Sequence, residues 1–360
     1  MSDDKNSCQY FLAGHATKTA AQDLLALARW CEKNDIEHDV YGSGDTLQAF
    51  EQEIAQLLGF EAGLFVITGT MAQAVVLDAV CEQVSNPVVA MHSSCHINKH
   101  EAQNFQFLRR FTALPTGNAY QPWLTSDLAS HTDNITAAVY ELPMREIGGQ
   151  LPQWEQLQDI KDHCQQHDIH LHMDGARLWE AAAYYGKTYA EIANGFQSVY
   201  VSFYKGIGAF AGAMLLGKQN LIDKARIRVK REGGNVFKRS PYAFSAMMQF
   251  EQRLEQMPAL FERTQQLYLL LQKYSPSLKL NPSAPQANML HIHLSMSIDE
   301  AEKMCSQLAH ELGIWLCNGF QVGPLPNSCY FEWYVGDNAL NLSDEIIIQA
   351  LEFVHKFNQQ

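Results

Sequence analysis

Two short apolar segments each run into a charged residue. Ile169-His170-Leu171-His172-Met173 leads to Asp174, and Ser198-Val199-Tyr200-Val201-Ser202-Phe203-Tyr204 leads to Lys205. Read as strands feeding loops, they set Asp174 and Lys205 side by side at the carboxyl edge of an open parallel sheet, where ligands bind. That pairing suits pyridoxal phosphate. A lysine amine forms a Schiff base with the aldehyde, and a carboxylate keeps the pyridinium nitrogen protonated, so that the ring can take up electrons. Each residue also has a plainer reading. Lys205 alone reads as a snorkelling surface lysine, and Asp174 as the cap of a helix opened by Gly175-Ala176-Arg177-Leu178.

Other residues fit the same chemistry. Arg177 follows the Asp174 strand, where a guanidinium can hold a substrate carboxylate by two parallel hydrogen bonds; a structural ion pair is the alternative. Thr68-Gly69-Thr70 separates a strand from a helix, and backbone N–H groups with two hydroxyls there make a cradle for the cofactor phosphate, although a capping threonine is common. Ser202, a small hydroxyl residue on the Lys205 strand, joins the cofactor-binding set. His96 follows a strand and is the candidate to stack on the ring or move a proton, with His92 as second choice. Glu141 and Arg145 follow another strand end and precede Gly148-Gly149; a surface salt bridge is the alternative.

Strands and helices must alternate to deliver these groups. Strands are expected over Gly63–Ile67, Pro87–Met91, Ile135–Tyr140 and Ala213–Leu216, besides the two already named. Leu47, Phe50, Ile54, Leu57 and Leu58 recur at helical spacing, with Asp45 as the expected cap and Gln48 as its capping-box partner. Further helices are expected over Met71–Val84 and Gln153–His167. The alternation marks an α/β fold with a mainly parallel sheet. After Ser240-Pro241 the character changes. A long helix over about Phe244–Tyr274 leads to a smaller α+β unit with strands at Asn288–His293 and Tyr330–Tyr334. The reading is a large domain over 1–245, including the N-terminal segment, and a small one over 246–360.

Bulk properties narrow the function class. The chain has 360 residues, 47% of them apolar, as in ordinary globular proteins. A net charge of −13 argues against nucleic acid and against anionic membrane surfaces. No apolar run reaches the roughly 18 residues of a membrane span. The polar start, Met1-Ser2-Asp3-Asp4-Lys5, lacks a signal-peptide pattern, and the eight scattered cysteines form no CxxC pair. A cytoplasmic protein with reduced thiols is expected. Cys95/His96 and His170/His172 lack third and fourth ligands at a recognised spacing, so no metal site is expected. Lys230-Arg231 and Lys238-Arg239 read as a solvated basic face, or as phosphate contacts across a subunit interface.

Taken together these motifs resemble the threonine aldolase and β-eliminating lyase family of fold-type I pyridoxal-phosphate enzymes. The resemblance covers about Asp39–Ala246. It rests on Val40-Tyr41-Gly42, Thr68-Gly69-Thr70-Met71-Ala72, His96-Ile97 with Glu101, His172–Leu178, and Lys205-Gly206-Ile207-Gly208-Ala209. It implies a mainly parallel, seven-stranded type of sheet, and Lys205 as the lysine that carries the cofactor as an imine. It further implies Asp174 at the pyridinium, His96 over the ring, Gly69 and Thr70 at the phosphate, and Arg177 and Tyr41 at the substrate. The assembly it implies is a homodimer or homotetramer with active sites at a subunit interface. The expected reaction is retro-aldol cleavage of a β-hydroxy-α-amino acid, such as L-threonine or L-allo-threonine, to glycine and an aldehyde. β-Elimination or racemisation of another amino acid would use the same site, and a non-catalytic binding protein is the reading from a different class. Three features depart from the pattern. Glu141-Leu142-Pro143-Met144-Arg145 replaces the usual Glu-Asn-Thr-His-Asn, Tyr204 stands where a small hydroxyl residue is usual, and no arginine follows Arg263. The family's second carboxylate-binding arginine lies in the C-terminal domain, so Arg145 is the expected replacement.

Overall fold

The computed structural model describes residues 2–359. Seven strands form the large sheet: β1 (Ala62–Val66), β2 (Val88–His92), β3 (Thr112–Thr116), β4 (Ala137–Glu141), β5 (His170–Gly175), β6 (Ser198–Ser202) and β7 (Ala213–Gly217). Their spatial order is β1-β7-β6-β5-β4-β2-β3. All neighbours pair parallel except β7, which is antiparallel to both β1 and β6. Strands β1, β4, β6 and β7 are buried at every position. Continuous apolar runs such as Ala213-Met214-Leu215-Leu216 are stable only where both faces are covered. The helices Gly69–Cys81 and Gln219–Arg231 pack on one another and against the sheet, with Val75, Val76, Leu64, Leu215 and Val229 in one apolar cluster.

Local chemistry moves some boundaries from their expected places. The helix Asp45–Leu58 has Gly44 at its cap, with no side-chain cap bond, so Asp45 is its first residue rather than its cap. Asp174 does not cap the helix Leu178–Tyr185 either; Arg177 holds that position. The long helix begins at Ser240 and runs to Tyr274. Pro241 falls in its first turn, where the missing N–H leaves no gap in the helical ladder. The expected helices and strands did not include β3. It is an edge strand with Pro115 inside it and mixed exposure, and proline in a sheet is confined to such edges.

The chain divides into two compact units. One comprises Lys18–Glu146 and Leu151–Glu255; the other comprises Met1–Thr17, Ile147–Gln150 and Gln256–Gln360. The first residues thus belong with the smaller unit rather than with the large one. Backbone pairing explains this. Tyr10–Phe11 runs parallel to Ile314–Trp315, the N–H groups of Gln9 and Tyr10 donate to the Gly313 carbonyl, and the Trp333 indole donates to the Leu12 carbonyl at 2.9 Å. The smaller unit has a four-stranded antiparallel sheet in the order Gln321–Val322, Cys329–Tyr334, Met289–Leu294, Lys279–Asn281. The helices Ile298–Leu312 and Asp344–Asn358 belong to the same unit. Among the described residues, no helix is long and apolar enough to cross a membrane, and no group of three or more His, Cys, Asp or Glu side chains is placed to hold a metal ion.

Candidate active site

The order of the strands opens the site. From β2 the chain lays β3 on one side and then returns to place β4 on the other. The loops leaving β2 and β4 part there, which is where open α/β sheets bind ligands. His96 follows β2, and Glu141 closes β4. Across β4, β5 and β6, Glu141, Asp174 and Tyr200 stand in register.

Asp174 is buried and accepts two hydrogen bonds, from the Ala176 N–H at 3.1 Å and from Gln73 Nε2 at 2.8 Å. Gln73 Nε2 also reaches Glu101 Oε1 at 3.3 Å. That oxygen meets His96 Nδ1 at 3.1 Å. The Glu101 hydrogen bond raises the pKa of the His96 imidazole, while burial raises that of the Glu101 carboxyl. Glu141 accepts from the backbone N–H groups of Arg145 (3.0 Å) and His96 (3.3 Å). Burial, and then the charge of Asp174, push Glu141 up to about 7. A carboxyl that holds and releases a proton near neutrality marks a candidate functional site.

Lys205 lies in a tight turn, where the Gly208 N–H donates to its carbonyl at 3.0 Å. Burial lowers the pKa of its amine, and the Arg177 guanidinium lowers it further against the opposing charges of Asp174, Glu141 and Glu180. The free-base form gains population, which a nucleophilic lysine needs. These couplings bring Lys205, Asp174, Glu141, Arg177 and His96 into one cluster. Beside it, Thr68 Oγ1 caps the helix Gly69–Cys81 by accepting from the Met71 N–H at 3.2 Å. The first-turn amides of a helix have no partner within it and form a ready anion site. Gly69 has no alternative there, because a Cβ would stand 1.9 Å from the Tyr200 hydroxyl oxygen. That hydroxyl meets the Tyr204 hydroxyl at 3.1 Å.

Other expected residues are engaged elsewhere. Both ring nitrogens of His92 are held, by the Ser94 hydroxyl and the Asn118 carbonyl, each at 2.6 Å. Ser202 donates its hydroxyl to the Ala176 carbonyl at 2.6 Å, so that proton goes to the loop leaving β5 rather than to a phosphate. Arg145 Nη1 pairs with Glu146 at 3.1 Å, and Glu146 also meets His100 Nε2 at 3.0 Å. The His100 ring lies 5.2 Å from that of His96, so Arg145 stands at the margin of the cluster. Tyr41 is exposed and rests edge-on against Phe237, with ring centroids 5.2 Å apart. Lys230, Arg231 and Lys238 are exposed, but Arg239 is buried. It donates to the Phe65 carbonyl at 3.1 Å and to Asn235 at 2.7 Å. Its amide and that of Ser240 donate to the buried Asp39 at 2.8 and 2.6 Å. Gln73 went unread in the sequence. The available signal was its position four residues after Gly69, on the helix face that Gly69 itself presents.

A mainly parallel sheet with a lysine and an aspartate at adjacent strand ends, joined to a smaller antiparallel unit, is the fold-type I architecture. The chain belongs to the beta-eliminating lyase family, whose profile matches residues 26–295. A solved structure from Listeria monocytogenes EGD-E, provisionally described as an L-allo-threonine aldolase, is similar with a TM-score of 0.91 and 34% identity over 97% of each chain. The low specificity L-threonine aldolase of Saccharomyces cerevisiae is 30% identical over 207 residues, 55% of this chain and 52% of that protein. Alanine racemase TOXG of Cochliobolus carbonum is 32% identical over 211 residues, 57% of this chain and 54% of that protein. The chain spans about half the length of the first curated relatives it matches.

Proposed function

We propose that this chain is a pyridoxal-phosphate-dependent lyase that cleaves β-hydroxy-α-amino acids of the threonine or allo-threonine type to glycine and an aldehyde. One observation carries the reading: the lowered-pKa amine of Lys205 stands in one buried cluster with Asp174, beside a helix start that admits no side chain at Gly69. These groups fit the cofactor. Gly69 and Thr70 would hold its phosphate through first-turn amides, Lys205 its aldehyde carbon, and Asp174 its ring nitrogen. When bound, pyridoxal phosphate supplies an electron-poor ring that takes up the electron pair of a breaking bond at the substrate α-carbon.

The chain's own groups do the rest. Arg177 holds the substrate carboxylate and so selects which α-carbon bond stands ready to break. His96, with Glu101 behind Nδ1, takes the β-hydroxyl proton through its other ring nitrogen or a water it orients. Glu141 stores or returns a proton near neutral pH. Arg145 takes over the second carboxylate contact, because no arginine follows Arg263 and Arg263 is committed to the Ala339 and Leu342 carbonyls and to Asp344. The exposed Val40, Tyr41 and Phe237 support a homodimer or homotetramer with the sites at an interface. The similarity to an alanine racemase favours racemisation as the second reading.

The deciding experiment reduces cofactor-loaded protein with borohydride and maps the tagged peptide. A phosphopyridoxyl group on Lys205 is expected, together with acetaldehyde from L-threonine or L-allo-threonine. A tag on another lysine, or on none, overturns the cofactor reading. Pyruvate from serine or cysteine, or exchange between alanine enantiomers, without acetaldehyde, replaces the aldolase with the elimination or racemase reading. A tag on Lys205 with no turnover of any of these replaces it with a binding protein.

A further inference from the structure

Gln73 takes no part in the bond-breaking steps, yet it lies within the cluster. It is buried one turn into the helix Gly69–Cys81. Its one amide nitrogen donates to two carboxyl groups on different elements, Asp174 at 2.8 Å and Glu101 at 3.3 Å. An amide NH2 has two protons, so both are spent. The orientation follows from charge, because turning the amide over would aim its oxygen at both carboxylates. As it stands, Gln73 Oε1 is buried and finds no partner among the described residues. A position serving packing alone would be better filled by an apolar side chain of the same volume. The amide therefore answers to the two carboxyl groups.

We propose that Gln73 is a positioning residue that couples Asp174 to the Glu101–His96 pair, dividing its two N–H donors between the carboxyl groups so that Glu101 does not lean on the imidazole alone and His96 stays able to give up its proton. The consequence for the site rests on the lyase reading; the coupling is a property of the polypeptide and is testable without cofactor. The groups that face His96 are Glu101, Asp174, Lys205, Glu141 through its backbone bond, and His100 through its ring. Of these, Gln73 touches two, Glu101 and Asp174, and bridges them through a single nitrogen. Removing the amide leaves Asp174 with the Ala176 N–H and Glu101 with Asn104 and His96, and Glu101 then leans more heavily on the imidazolium. Its proton becomes harder to remove.

The test follows diethyl pyrocarbonate modification of His96 against pH in cofactor-free protein, read by peptide mass mapping. In Gln73→Met, which keeps the volume and loses the amide, the midpoint of His96 reactivity is expected to rise by about half a pH unit or more. In Glu101→Gln it is expected to fall. A Gln73→Met midpoint within about 0.2 unit of wild type, in a protein with an unchanged melting temperature, overturns the proposal. Should the methionine variant not fold, Gln73→Glu is nearly isosteric and can offer one proton at most to the two carboxylates. The midpoint must rise there as well, and an unchanged value again overturns the coupling. Failure of the cofactor reading would show separately, as no phosphopyridoxyl tag on Lys205, and would leave the midpoint shift standing.

Discussion

The seven-stranded sheet is covered on both faces, whereas strand Cys329–Tyr334 of the smaller sheet buries only alternate residues. The difference decides where ionisable groups end up. In the large sheet the strand interiors hold no Lys, Arg or Glu, charged residues collect toward the carboxyl ends, and burial there shifts Glu141 and Lys205 toward neutrality. In the small sheet Phe331 and Trp333 point inward while Glu332 takes the other face. The first arrangement concentrates chemistry at one edge; the second spends its aromatic residues on cohesion.

Three perturbations separate these roles, from the largest expected effect to the smallest. Trp333→Ala removes a fully buried indole that also donates to the Leu12 carbonyl. Unfolding stability should fall by about 3–5 kcal/mol, as for other buried aromatic truncations. A urea titration showing a loss below about 1 kcal/mol would mean that the strand holds less of the unit together than its packing indicates. Arg145→Ala tests whether the large unit has taken over a contact that the small unit lacks. KM for the amino-acid substrate should rise about tenfold or more, the worth of one charge-assisted hydrogen bond. An unchanged KM would remove Arg145 from the substrate site.

The smallest effect concerns histidines inside the large sheet. His170 and His172 share the Ser198 hydroxyl, each at 2.8 Å. Burial lowers them to about 4 and about 3. Their folded pKa values lie below the unfolded value, so the unfolded chain binds more protons at acid pH. Their contribution is complete above about pH 6.5 and drains away as the pH falls toward 4, by at most about 1.4 kcal/mol per pH unit for each ring. Glu141 works in the opposite sense. Its raised carboxyl contributes at low pH and loses that contribution as the pH rises through about 7. The histidine effect is therefore read as the difference between wild type and His170→Gln, whose stability curve should be flatter on the acid side. Parallel curves between pH 7 and 5 would contradict it.

Much of the candidate site was legible because its residues sit where sequence patterns break. Asp174 and Lys205 each end an apolar run, and Thr68-Gly69-Thr70 interrupts the passage from strand to helix. Gln73 and Arg239 were not legible, since each looks like an ordinary polar residue of its segment. Their burial depends on partners distant in sequence, Asp174 for one and Phe65 for the other. Ser202 shows the converse, a hydroxyl well placed in sequence but bonded to the Ala176 carbonyl just beyond the neighbouring parallel strand β5. Strand β3 was hidden by Pro115, and the place of Tyr10–Phe11 by the distance in sequence to Ile314–Trp315.

That last pairing has a consequence in time. Gln9 and Tyr10 leave the ribosome about 300 residues ahead of Gly313, whose carbonyl they bind. At roughly 5–20 residues per second the leading strand waits about 15–60 s without its neighbour. Throughout that interval Leu12, wholly enclosed in the finished molecule, is open to any chaperone within reach.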